Sequence, residues 1–467
     1  MKTHVRTPAL GVLGDRSSVI DSRLIPLTTR SCAVLRQWRR WSLAVTVLVA
    51  AMVPWYTLRE FPILTIGSAK VNPLDALVAC TALFALPCVV RGLLTRLPLA
   101  FWIGGFMVSV AVSFMIGLST ADSTFFALRE ARALAFFAVA LAFVTGDFEA
   151  DDFRWFARAY AIGATIAAVA VFAHVHWRTP LPGYGNIILY QIANIALSQP
   201  GLARGMMSVQ YLVWAVPVVS LMLILIEMVR AKSYLERISW ALACIVIVWY
   251  ILATAERFLQ VVALVVAVGV PLLSFRARER MRGFAAVAVV LTIVGLLAVA
   301  GLQHASWVGP WVRYTVLRWS GTLSDESLTY RVRELTAGLP LMARDPLFGQ
   351  GLGGVIPIPG PGQPVTSSNP QWHYISSGYG FLLLRTGMLG FGLFVGTVVT
   401  ALRLGWRRLR VVDIPQSLWS TTAVGVAGVT VLLVLNLLDP VVDVPEDVIA
   451  LGMFLGMTVA SSRDCRK

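Results

Sequence analysis

The run Leu97-Pro-Leu-Ala-Phe-Trp-Ile-Gly-Gly-Phe-Met-Val-Ser-Val-Ala-Val-Ser-Phe-Met-Ile-Gly117 carries no charge across 21 residues. At about 1.5 Å of rise per residue, a helix of that length covers about 30 Å, the thickness of bilayer hydrocarbon. The same kind of run recurs along the chain. Apolar stretches fall near residues 41–57, 73–90, 97–117, 124–145, 153–175, 207–229, 237–254, 258–275, 283–303, 376–401, 417–438 and 446–461. Each is continuous, whereas a barrel strand alternates apolar and polar over about ten residues. The pattern predicts an all-α integral membrane protein with about 12 transmembrane helices.

Composition agrees. Apolar residues make up 57% of the chain and charged residues 13%, against about 25% charged in soluble domains. The formal charge of +15 does not point to nucleic acid, because the basic residues gather in alternate connections. One set holds the N-terminal arm, Arg91, Arg96, Arg230, Lys232, Arg237, Arg276–Arg282, Arg403–Arg410 and the C-terminal tail. By the positive-inside rule this set is cytoplasmic, so both termini lie inside. The acids Asp147, Glu149, Asp151 and Asp152 also fall on that side, where acidic residues carry little weight in the rule. The resulting division is a basic arm over 1–40, helices 1–9 over 41–303, an external loop over 304–375, helices 10–12 over 376–461, and a tail over 462–467. The arm reads as a partly disordered segment against anionic headgroups.

Cys32, Cys80, Cys88, Cys244 and Cys465 offer no pair outside the membrane, and neither they nor the five histidines show metal-ligand spacing. No metal or cofactor is expected.

The loop before the last three spans is the one long polar interruption. It carries Arg313, Arg318, Arg331, Arg333 and Arg344, then Pro346-Leu-Phe-Gly349-Gln-Gly351-Leu-Gly353, a stretch rich in proline and glycine, and His373. Tyr330-Arg-Val-Arg-Glu-Leu335 reads as helix, on which Arg331 and Arg333 point different ways. Other arginines reach the same outer face: Arg129 and Arg132 early in the fourth span, Arg204 heading the sixth, and Arg257 in the turn Thr254-Ala-Glu-Arg-Phe258. Arg385 lies inside the tenth span, where an arginine costs about 2.5–3.5 kcal/mol on insertion scales and faces a partner or a wet cavity. The plain readings are snorkelling for Arg132 and a local ion pair with Glu130 for Arg129. Convergence of guanidinium groups on one face suits a diphosphate at the interface.

Arg331, Leu335 and Pro346–Gly353 together resemble the O-antigen ligase and O-antigen polymerase superfamily of bacterial membrane glycan transferases. So does Gly378-Tyr-Gly-Phe-Leu-Leu-Leu-Arg-Thr-Gly-Met-Leu-Gly390, which resembles the family's segment ending Gly-x-x-Gly. Arg204-Gly-Met-Met and Thr254-Ala-Glu-Arg257 are similar to its Arg-x-Ser-Gly and Thr-x-Ser-Arg entries. The family's His or Asp, eleven residues before Gly-x-x-Gly, falls here on Ser376, with His373 three residues earlier.

The resemblance implies transfer of a glycan from an undecaprenyl-diphosphate donor to a glycan or lipid-linked acceptor, without metal, at the periplasmic face of the bacterial inner membrane. Arg331 and His373 would be catalytic, with Arg204, Arg257 and Arg129 binding the diphosphate. Glu256, Glu334 and Asp345 are substitutes for His373 as base. Membrane lipids and other polysaccharide-assembly proteins are the implied partners, and nucleic acid is not. The Gly378–Gly390 stretch favours a polymerase of a surface or exopolysaccharide, with a ligase open. The alternatives are a secondary transporter or flippase for an anionic lipid or solute, which the scarcity of deep acidic residues disfavours, and a structural subunit of an envelope assembly.

Overall fold

The computed structural model describes residues 29–53, 63–66, 69–94, 98–120, 124–177, 215–253, 257–274, 288, 326–358, 375, 377–411, 413–437 and 441–460. These residues are dominated by helices. In chain order they are α1 (Thr29–Met52), α2 (Pro73–Leu94), α3 (Pro98–Thr120), α4 (Thr124–Ala135), α5 (Phe137–Thr145), α6 (Ala150–Trp177), α7 (Ala215–Arg230), α8 (Tyr234–Ala253) and α9 (Arg257–Ser274). They continue with α10 (Glu326–Arg344), α11 (Gly378–Leu409), α12 (Gln416–Leu435), a 3₁₀ turn (Val441–Asp443) and α13 (Pro445–Val459). One small exception is the antiparallel hairpin of β1 (Leu64–Ile66) and β2 (Ala69–Val71), which pairs Leu64 with Val71 ahead of α2.

Six described helices are long and apolar enough to cross a membrane: Pro73–Leu94, Pro98–Ser119, Ala150–Ala173, Tyr234–Leu252, Gly378–Leu409 and Gln416–Leu435. The chain is therefore a helical membrane protein. Of the other apolar runs, the one at 283–303 lies outside the described residues apart from residue 288, and the one at 207–229 is described from Ala215. The run at 124–145 is divided into α4 and α5 by a tightened turn at Phe136, whose N–H donates to Ala133 O at 3.2 Å.

Local chemistry sets the helix starts. Asn72 N–H donates to Asp75 Oδ2 at 2.7 Å while Asp75 N–H donates to Asn72 Oδ1 at 3.0 Å, a reciprocal cap before Pro73. Outward faces are apolar. Phe101, Val108 and Met115 on α3, each seven residues from the next, are exposed, as are Leu83, Leu86 and Val90 on α2. A water-facing protein rarely tolerates such stripes, but lipid covers them at no cost. By contrast α7 is buried from Ala215 to Met228 and α13 from Pro445 to Thr458, the mark of central helices.

Polar side chains collect at the two ends of the bundle. At one end, Arg36 Nη2 lies 2.9 Å from Glu149 and 3.6 Å from Asp152, and Arg40 pairs with Asp152. The acids that ran against the charge pattern are thus counter-ions of α1. The helix starts at Thr29, well ahead of the apolar run at 41, so the C-terminal part of the basic arm is ordered helix rather than a loose tether. Nearby, Glu227 is 3.0 Å from Arg154, 2.6 Å from Arg158 and 3.8 Å from Arg230. Arg408 Nη1 donates to Ala460 O at 2.6 Å at this same end.

Close helix crossings depend on small residues. A Cβ on Gly452 of α13 would lie 2.8 Å from Ala140 Cα of α5, whereas a Cβ on Gly392 of α11 meets nothing within 4 Å. Gly452→Leu should lower stability by about 1–3 kcal/mol through overpacking. Gly392→Ala should leave it equal or raise it by about 0.5–1 kcal/mol. Thermal unfolding of the two purified variants in detergent, compared with the parent, measures both.

Candidate functional site

The opposite end is built around the glycine motif. Gly349, Gly351 and Gly353 have φ of 70°, 82° and 78°, left-handed values that favour glycine, and they alternate with Gln350 and Leu352. This turn is not a free external loop. It enters the bundle between α3, α4 and α11, with Leu352 and Ile356 fully buried. Leu352 N–H donates to Ser113 O of α3 at 2.9 Å, and a Cβ on Gly351 would lie 2.8 Å from Gly117 Cα. A Cβ on Gly353 would lie 2.5 Å from Ala127 N of α4.

The helix that receives the turn is broken to do so. Gly387 in α11 has φ 63° and ψ −168°, which releases the carbonyl of Leu384 and the N–H groups of Met388 and Leu389 from the helical ladder. The turn takes all three: Gln350 N–H donates to Leu384 O at 2.8 Å, Met388 N–H to Pro346 O at 2.8 Å, and Leu389 N–H to Leu347 O at 3.1 Å. Irregular backbone at membrane depth persists only where its polar groups are satisfied in this way.

One buried ion pair locks the assembly. Arg385 is 0% exposed and Glu130 4% exposed. Arg385 donates to Glu130 Oε1 from Nη2 at 2.8 Å and from Nε at 3.1 Å, while Gly353 N–H donates to Oε2 at 2.6 Å. The guanidinium also lies 5.7 Å from the centre of the Phe381 ring. Arg385 thus has the partner its position requires, but Glu130 does not form the expected local pair with Arg129. Arg129 instead is exposed, within electrostatic reach of Glu130 and Asp443. Arg132 finds a protein partner: its Nε donates to Asp75 Oδ1 at 2.6 Å. A fixed carboxylate satisfies the guanidinium directly.

Asp443 closes the 3₁₀ turn between α12 and α13, outside the spans, and packs beside α4 and α11. Burial pushes its carboxyl up to about 7, the charge of Glu130 adds to the rise, and Arg129 and Arg385 oppose it. The ends of α11 and α12 are tied nearby, Gly378 N–H donating to Asn436 O at 3.0 Å and Tyr379 Oη to Leu433 O at 2.9 Å.

Arg331 lies on α10 and is half-buried, whereas Arg333 is exposed. Leu335, one turn along on the same face, reaches within 3.2 Å of where a Gly380 Cβ would stand, which rests this part of α10 on the start of α11. Glu334 is buried and Asp345 exposed. Arg204, Glu256 and His373 lie outside the described residues, and Arg257 opens α9 with its side chain also outside them. The structure therefore gathers Arg129, Glu130, Arg385 and Asp443 in one patch, with the Arg331 helix resting on the same end of α11. Of these, Glu130 and Asp443 were not singled out from the sequence as members of a site. Depth is the signal that finds Glu130: it is the seventh residue of α4 and Arg385 the eighth of α11, each counted from the helix's first residue.

The fold and this charged end define a polytopic helical membrane protein with a re-entrant glycine turn beside an arginine- and carboxylate-bearing face. No protein-family model matches the chain, and no curated protein matches it in sequence.

Removing either member of the buried pair strands the other's charge. Arg385→Met should cost about 3–5 kcal/mol, and so should Glu130→Leu. The double variant should recover a large part of that loss, giving a positive coupling in a double-mutant cycle of thermal stability.

Proposed function

We propose that this chain is a metal-independent glycan transferase of the O-antigen ligase and polymerase kind. It sits in the bacterial inner membrane with twelve spans, both termini cytoplasmic and the 304–375 loop periplasmic. It takes oligosaccharide from an undecaprenyl-diphosphate donor and, by preference, polymerises it into a surface or exopolysaccharide. Arg331 stabilises the departing diphosphate, and Arg204, Arg257 and Arg129 hold it. The acceptor is another lipid-linked glycan or a terminal glycan, and His373 is the loop's candidate for base.

The supporting observation is the docking of the glycine turn into the broken α11. That anchorage fixes the C-terminal end of α10 to the bundle, so that the arginine-bearing segment is held against the helices rather than tethered loosely. Fixed cations are what a leaving diphosphate needs where no metal supplies the charge.

A second reading, a transporter for an anionic lipid or solute, gains from α13. Glu446 and Asp447 are each 1% exposed, so deep acids are present where the sequence suggested scarcity. Tyr160, fully buried on α6, lies within electrostatic reach of both. Buried carboxylates of this kind commonly couple transport to protons.

Arg331→Ala, expressed at the parent's membrane level in cells lacking the chromosomal copy, separates the readings. Loss of a cation at the leaving group should slow transfer by about 10²–10³-fold. Single lipid-linked repeat units then accumulate if the protein polymerises, and long unattached lipid-linked chains accumulate if it ligates. Normal pools of both in a full deletion would refute glycan transfer and leave the transporter.

A further inference from the structure

Resting on the glycan-transfer reading, we propose that Asp443 is the general base that removes the proton from the acceptor hydroxyl. Two carboxylates lie within electrostatic reach of the exposed guanidinium of Arg129, and they differ in what their oxygens are doing. Glu130 has both oxygens engaged, by Arg385 and by Gly353 N–H. Asp443 has an oxygen, Oδ1, that is shielded from solvent and has no hydrogen-bond partner among the described residues. The residue as a whole is half-buried while Oδ1 is shielded, so an acceptor hydroxyl meets this oxygen only by entering the patch.

The charged groups at this end of the elements packed against the 3₁₀ turn are Arg129, Glu130 and Arg132 from α4, the last bonded to Asp75, Arg385 from α11, and Glu446 and Asp447 from α13. Arg385 is committed to Glu130, which leaves Arg129 as the cation positioned to face a bound anion. A diphosphate at Arg129 would set the anomeric carbon beside Asp443. The acceptor oxygen forms its bond to that carbon as its proton passes to the Asp443 carboxylate. The bond from the anomeric carbon to the diphosphate breaks, and its electron pair leaves on the diphosphate. A carboxyl near 7 is half ionised at neutral pH, which matches the proton affinity a base needs for this work.

The test uses spheroplasts of the deletion strain carrying the full-length chain, with the cells' own lipid-linked glycan as substrate and external pH stepped from about 5.5 to about 8.5. Conversion of lipid-linked repeat unit is followed for the wild type, Asp443→Asn and Asp443→Glu. The wild-type rate should rise with pH and level off above about 7, because the ionised carboxylate is the active form. Asp443→Asn should lose about 10²-fold or more and with it the rise, while Asp443→Glu keeps part of the rate with a displaced rise. The asparagine variant removes a carboxyl whose folded value lies above its unfolded one, an arrangement that costs stability as pH climbs from about 4 to about 7. Its thermal midpoint at pH 8 should therefore be no lower than the parent's, which separates lost chemistry from lost fold. An Asp443→Asn rate within tenfold of the parent, or one that keeps the same rise, overturns the inference while glycan transfer stands. Loss of the rise in His373→Ala alone overturns it in favour of the histidine. A wild type that converts no lipid-linked glycan at any pH refutes the transfer reading itself, and the inference falls with it.

Discussion

The break in α11 at Gly387 is the constraint on which the glycine-turn end of this molecule depends. A helix interrupted within apolar surroundings must find partners for the carbonyl and N–H groups it releases, because no water is there to take them. Pro346–Gly353 provides those partners, and it can do so only by running backbone against backbone. That close approach explains the alternate glycines, since a side chain on Gly349 or Gly351 would occupy the space of α11 or α3. The turn and the break are therefore one feature, made by two segments that neither could form alone.

Charge follows the same logic. Arg385 and Glu130 are brought to one depth by helices that start from the same end, and Gly353 N–H completes the carboxylate's coordination. Burying such a pair is weak evidence of added stability, since its desolvation offsets its attraction. Its effect is better described as specificity: only one seating of the turn satisfies the acid, the guanidinium and the amide together. At the other end Glu227 collects three arginines, and Glu149 and Asp152 receive Arg36 and Arg40. These layers lock helices distant in sequence at the two rims, while the middle of the bundle relies on packing between small and apolar residues.

Function, on the reading proposed here, uses what the structural pairs leave over. The patch beside the glycine turn holds more cationic and acidic groups than the lock consumes. Arg129 remains exposed and Asp443 keeps an oxygen without a hydrogen-bond partner among the described residues. A site for an anionic leaving group and a hydroxyl nucleophile needs both kinds of group side by side, one to stabilise developing charge and one to take a proton.

Much of the architecture was legible from residue order. Apolar runs of bilayer length placed the six described helices that are long and apolar enough to cross a membrane, because hydrocarbon thickness and helical rise leave few other solutions. A mid-span Arg385 called for a partner or a wet cavity and has a buried partner; the spacing of Arg331 and Arg333 has them point different ways, and one is half-buried, the other exposed. What the linear pattern could not reveal was pairing across long separations. Glu130 was assigned to its neighbour Arg129 and Arg132 to the headgroups, whereas the fold gives Glu130 to Arg385, 255 positions away, and Arg132 to Asp75. The glycine turn read as part of an external loop, yet its backbone is packed inside. Sequence by itself determined which segments are helices and which residues are soluble in lipid, properties set locally by transfer free energy. Only the tertiary structure decided which charges meet and where Asp443 sits, because those depend on how helices of similar composition are arranged around one another.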